Sequence, residues 1–169
     1  MILLSCDLEE VNIDPNKPKE VPLSGLLAGA EASLVYAYAA DYSVKTSVFV
    51  QHISGIGGFA VNDDRYNLAT SAFDGAWGKT YTNVLTELKL LDELATERSA
   101  PHYSGVARIL RALAVATLTS AYGDIPYSQA LNPDNLAPSY DSQESVYAAV
   151  QQLLSEGIDL LGQTSVLSP

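Results

Sequence analysis

Basic residues, histidine and cysteine are all scarce in this chain, and each shortage removes a class of function. Lys and Arg number 9 against 20 Asp and Glu, so the formal net charge is −11. A nucleic-acid partner needs basic patches for its phosphates and is excluded, and anionic lipid head groups are repelled for the same reason. Neutral ligands and other proteins remain. The two histidines, His52 and His102, lie far apart, and no HExxH or Cys/His pair suggests zinc. The single cysteine, Cys6, cannot form an internal disulfide and has no neighbouring histidine to activate it. There is no GxxxxGK phosphate loop and no GxSxG elbow. Gly55, Gly57 and Gly58 follow a helical pattern rather than a strand, the wrong context for a dinucleotide site. An enzymatic reading is left without a constellation, and neither a metal nor a cofactor is implied. No apolar run approaches the roughly 20 residues of a membrane-spanning helix, and no segment alternates like a strand between hairpin turns.

What the chain does have is helical periodicity. Its 169 residues, 47% of them apolar, suffice for one domain with a substantial core. Residues 1–6 end in Leu3-Leu4-Ser5-Cys6, which resembles a bacterial lipobox whose cysteine is lipidated, although the rest of a secretory signal is missing. Residues 7–20, with Pro15, Pro18 and the acidic Asp7, Glu9, Glu10, Asp14 and Glu20, read as an extended tether. The helical domain is expected over 21–162. A stripe of Leu23, Leu26, Leu27, Ala30, Leu34, Ala37 and Tyr38 predicts a helix over 22–42, with a shorter one over 44–53 and an irregular stretch over 59–70. Trp77, Tyr81, Val84, Leu85, Leu88, Leu91 and Ala95 share one face of a helix starting near Ser71, where Ser71 and Asp74 suggest a capping box. A helix over 101–121 is apolar nearly all round and therefore central. The last, 141–161, opens on Asp141 and Glu144 as a capping pair and carries Val146, Tyr147, Val150, Leu153, Leu154, Gly157, Ile158 and Leu161. Residues 163–169 form a tail. The expected class is all-α, in antiparallel pairs with a TPR-like architecture though without the TPR consensus.

Side chains that could carry chemistry have plain alternatives. Asp63 and Asp64, adjacent in a loop, suit a solvated turn or N-cap better than two carboxylates facing across a glycosidic bond. The ten tyrosines and one tryptophan could offer faces to sugar rings, but Trp77 and Tyr81 sit on an apolar stripe that suits core packing. Tyr66, Tyr122, Tyr127 and Tyr140 lie in or beside loops, where access is expected. Arg108 and Arg111, toward the side of the central helix, should each find a carboxylate.

Two loop motifs carry a resemblance. Tyr122-Gly-Asp-Ile-Pro-Tyr127-Ser-Gln-Ala-Leu131 resembles the YGD-[IV]-PY-S-x-A-L signature of the SusD/RagB family, and it follows a helix containing Arg111-Ala112, as it does there. Pro138-Ser-Tyr140-Asp-Ser-Gln-Glu144-Ser-Val-Tyr147 is similar to that family's next helix start. Asn12-Ile-Asp-Pro-Asn16, Gln51-His52, Asp64-Arg65-Tyr66-Asn67 and the Trp77/Tyr81 spacing agree with the SusD-like branch. The resemblance implies a non-catalytic, lipid-anchored nutrient-binding protein on the exterior of the outer membrane, with Cys6 as the lipidated residue. It also implies an oligosaccharide or other small nutrient as ligand and a SusC-like TonB-dependent transporter as partner. A helical interaction scaffold with no ligand of its own is the alternative. Family members are more than twice as long, so the chain is expected to correspond to their N-terminal, helical portion. Arg65, Tyr66 and Trp77 are the candidate ligand contacts.

Overall fold

Apolar stripes of this kind can be buried only by stacking helices side by side, and that is the architecture observed. The computed structural model describes residues 21–58 and 60–169; the lipobox, the tether and the Asn12–Asn16 motif lie outside these described residues. α1 (Leu23–Ala37) passes without a break through a π-helical turn, Tyr38–Tyr42, into α2 (Ser43–Phe49). A short α3 (Ala60–Asp64) precedes α4 (Asp74–Lys79), which continues through a second π-helical turn, Thr80–Leu85, into α5 (Thr86–Glu97). α6 (Pro101–Tyr122) and α7 (Gln143–Leu161) complete the stack. Among the described residues there is no strand, only an isolated antiparallel bridge between Ile125 and Asp141. No described helix is long and apolar enough to cross a membrane. The fold is all-α and TPR-like.

α6 is the central helix, packed against α5, α7 and α1. Its Ala107, Ala114, Val115 and Leu118 meet Leu88 and Leu91 of α5, Val146 and Val150 of α7, and Leu27 and Leu34 of α1 in one core. Each large aliphatic side chain buried there contributes about 1.5–3 kcal/mol. Arg108 ties three helices together on the flank of this core. Its guanidinium donates to Asp92 on α5 at 3.1 Å and to Glu156 on α7 at 2.7 Å.

Several local expectations change. The helices expected over 22–42 and 44–53 are one rod, because the π turn absorbs an extra residue without breaking the hydrogen-bond ladder. That rod ends at Phe49, where Gln51 takes a positive φ of 56°. The stretch 59–70 holds a helical turn, and Asp63 within it is 5% exposed, not solvated, because Lys45 pairs with it at 3.2 Å. Asp64 accepts a hydrogen bond from the Gly55 amide. Both carboxylates are structural. Neither expected capping pair forms. The α4 N-terminus has no side-chain cap, and α7 is capped by Ser142, whose hydroxyl accepts from the Ser145 amide. On α7 the buried face is Val146, Val150, Leu153 and Gly157, while Tyr147, Ile158 and Leu161 are exposed. Arg108 finds its carboxylates as expected. Arg111 instead lies over the Tyr127 ring, and its buried Nε has no hydrogen-bond partner among the described residues.

The segment after α2 is unusual on so acidic a chain. From Thr46 to Val61 the sequence carries no charged residue apart from the neutral-counted His52, and Val50, Ile53 and Ile56 are exposed on it.

α6 and α7 come into backbone contact where glycine faces glycine. A Cβ on Gly105 would lie 2.9 Å from the Gly157 carbonyl oxygen, and one on Gly157 would lie 2.7 Å from Ile109 Cγ1. Gly78 in α4 has nothing within 4 Å of the same position. Gly105→Val should therefore cost about 1–3 kcal/mol by overpacking a backbone contact, whereas Gly78→Ala should stabilise by about 0.5–1 kcal/mol through helix propensity. Urea denaturation of the two variants beside the parent checks both signs.

Candidate functional site

The loop joining α6 to α7 is held in a fixed shape. α6 stops at Gly123, whose φ of 80° is open to glycine at little cost, and Pro126 prevents the helix from resuming. Asp141 then closes the loop from its far end. Its backbone bridges Ile125 in both directions, at 3.1 and 2.9 Å. Its carboxylate accepts from the Tyr127 and Ser128 amides at 2.9 and 2.8 Å and from the Ser128 hydroxyl at 2.7 Å. This explains why Asp141 does not cap α7. Partial burial pushes its carboxyl upward, but the bonds from Ser128 and Tyr127 together outweigh this and hold it below the usual range.

Along this end of the stack the aromatic side chains form a continuous chain of ring contacts. Tyr66 stacks on Phe49 with centroids 5.8 Å apart, and Phe49 touches Phe73 at 6.2 Å. Phe73 meets Tyr122 edge-on at 6.4 Å, and Tyr122 meets Trp77 edge-on at 4.9 Å. Trp77 contacts Tyr81 at 5.0 Å and stacks with Tyr140 at 6.4 Å. Such pairs add about 0.5–1.5 kcal/mol beyond burial. The two π turns lie behind this arrangement: Tyr42, in the first, reaches the Tyr122 ring at 6.4 Å, and Tyr81 lies in the second.

Tyr66, Trp77, Tyr81, Tyr122 and Tyr140 thus share one aromatic chain while differing in access. Tyr66 is 62% exposed, has a positive φ of 54° and donates its hydroxyl to the Phe49 carbonyl at 2.8 Å. Arg65 beside it is exposed. Trp77 is half-buried against the core, in keeping with its place on the apolar stripe. Tyr140 is 65% exposed, as its loop position suggests. Tyr122 and Tyr127 are less accessible than their loop positions suggest, because both pack against the core and the Tyr122 hydroxyl donates to the Phe73 carbonyl. Burial, with Tyr140 and Asp141 nearby, raises the Tyr81 hydroxyl well above the usual phenol range, so it stays protonated and donates to the Pro126 carbonyl at 2.7 Å. Phe49 and Phe73, which link Tyr66 to Trp77, carry no pattern in the sequence that marks them.

Stacked helices closed by a latched loop and edged with aromatic rings define a helical scaffold of the solenoid type. A family model described as starch-binding and associating with the outer membrane matches residues 15–168. The chain belongs to this SusD-like family. It is also similar in fold to the crystal structure of a SusD/RagB family protein from Bacteroides thetaiotaomicron, with a TM-score of 0.77 at 20% sequence identity. That match covers 88% of this chain and 32% of the other, so the chain spans about a third of the length of the solved relative. No curated protein matches the chain in sequence.

The latch yields a pH signature. A carboxyl held below its ordinary value stabilises the fold fully above the unfolded-state pKa and loses that contribution as pH falls through the folded-state value. Asp141→Asn should cost about 1 kcal/mol at neutral pH, the low end for bonds to a partly exposed charged group. The gap between parent and variant should narrow steadily on acidification through the carboxylate range. Thermal melts of the two across that range read it directly.

Proposed function

We propose that this chain is the helical scaffold of an outer-membrane glycan-binding protein that captures oligosaccharides for a SusC-like TonB-dependent transporter. The family match over residues 15–168 carries the reading, because the family is described as starch-binding and as associating with the outer membrane. The exposed rings of Tyr66 and Tyr140 support it, since an accessible aromatic face suits the C–H face of a sugar. On this reading Arg65, Tyr66 and Trp77 are ligand contacts, catalysis has no part, and Cys6 carries the lipid that holds the protein on the exterior of the membrane. A helical interaction module without a ligand of its own is the second reading. The uncharged segment with exposed Val50, Ile53 and Ile56 favours it.

Calorimetry of the full chain with α-1,4-linked glucose oligosaccharides separates the two. The glycan reading expects weak, millimolar-range binding, because affinity requires a site that encloses its ligand. No heat with any oligosaccharide, together with co-purification of a protein partner, would leave the interaction module standing. Expression of the chain behind a complete lipoprotein signal tests the anchor: Cys6→Ala should release the protein from the membrane fraction, and retention of the lipid by that variant would remove Cys6 from the account.

A further inference from the structure

Beside the Trp77–Tyr81 pair lies a hollow of about 320 Å3, in which the function just proposed gives a role to Trp77 alone. The two rings form one side, Pro126 and Pro138 wall it, and the hydroxyls of Thr82 and Thr86 edge it. No lining residue is charged, so a charged ligand would find no counter-ion there. The Thr86 hydroxyl gives its proton to the Tyr81 carbonyl at 2.9 Å, and that of Thr82 shares its own between the Gly78 carbonyl and the Asn83 side-chain oxygen, both at 2.8 Å. Their remaining lone pairs are acceptors. A ligand that suits this wall therefore has an apolar ring face and a hydroxyl-bearing edge.

Thr86 and Leu131 also line a second hollow, of about 440 Å3, whose other residues include Lys89, Glu93 and Asn132. Leu131 marks the junction of the two and has a positive φ of 59°, a strained conformation for a side chain of its kind. It is held there by Lys89, whose ammonium donates to the Leu131 carbonyl at 3.0 Å. Tyr81, through its bond to the Pro126 carbonyl, fixes the opposite wall.

We infer that the two hollows form one groove for a neutral oligosaccharide, with one ring against Trp77 and Tyr81 and the next crossing Leu131 toward Lys89, Glu93 and Asn132. Each hollow lies near the low end of the ~300–1,000 Å3 of small-molecule sites, room for about one sugar ring. Aromatic faces bind the first ring and hydrogen-bonding groups the second, so affinity should rise with chain length. The inference rests on the glycan reading for its ligand class and adds the place where the ligand sits. It gives the α6–α7 loop a role, as the wall of that groove.

Trp77 is the only tryptophan of the chain and lines this hollow, so the emission reports its surroundings, and variants at Ala130 and Thr82 tie the response to the hollow. Titrating the full chain with maltotriose should shift that emission saturably, with glucose binding about tenfold more weakly, the worth of roughly 1.4 kcal/mol from the second hollow. Ala130 lines the first hollow, and Ala130→Phe should fill it and abolish the response. Thr82→Val, which keeps the shape and removes an acceptor, should weaken binding about threefold while leaving the unfolding midpoint in place. If calorimetry detects maltotriose but Trp77 emission does not move and both variants bind like the parent, the glycan reading survives and the groove is wrong. Emission that responds to p-cresol but not to maltotriose would also overturn it, as a site for an apolar ring. Absence of binding by either method, with any oligosaccharide, removes both.

Discussion

The close approach of α6 to α7 at Gly105 and Gly157 is the contact from which the rest of the structure follows. Without a side chain on either residue, the backbones meet directly, and the valines of α7 reach the core of α6. Arg108 can then span from Asp92 to Glu156 across a single helix width. With Arg108 deleted, the Asp92 and Glu156 carboxylates would be left without their shared counter-charge, so the ion pairs specify the arrangement of three helices more than they add to its stability. At the opposite end of the pair from these glycines, a gap separates the end of α6 at Tyr122 from the start of α7 at Gln143. The loop between them must close over that distance, and the Ile125–Asp141 bridge is how it does so.

The helices themselves were legible because burial imposes a period. Leu88, Leu91, Leu118 and Val146 are all nearly inaccessible, and all lie on stripes apparent in the sequence. Period reading carried through the second π turn, where the stripe from Trp77 to Ala95 faces one core. It lost its phase at the first, where an extra residue rotates everything downstream relative to what precedes it. That is why the first rod looked like two helices. Capping was misjudged for a different reason. Asp141 and Ser142 are adjacent residues with equally suitable side chains, and the competition was decided by the amides of Tyr127 and Ser128, which approach only in the folded loop. Asp63 could not be told from a solvated acid until Lys45, eighteen positions earlier, was seen beside it.

The candidate site was legible in its parts and not in its assembly. Tyr66, Trp77 and Tyr140 stand out by residue type and position, and the family motifs draw attention to their neighbourhoods. Their connection through Phe49, Phe73 and Tyr122 depends on three separate segments converging, which no local pattern records. Leu131 is the clearest case. Nothing about leucine in a turn announces a left-handed backbone, and the Lys89 ammonium that helps hold it there lies in another helix.

The uncharged stretch from Thr46 to Val61 has a consequence for how copies of the molecule behave together. At low ionic strength the net charge of −11 keeps them apart. The Debye length falls from about 30 Å at 0.01 M salt to about 8 Å at 0.15 M, and mutual repulsion then no longer reaches beyond the first layers of water. The segment that carries Ile53 and Ile56 has no charged side chain of its own to fall back on. Colloidal behaviour should therefore be governed by salt first and by pH second: well dispersed in dilute buffer, and increasingly adhesive through this one region as the ionic atmosphere contracts.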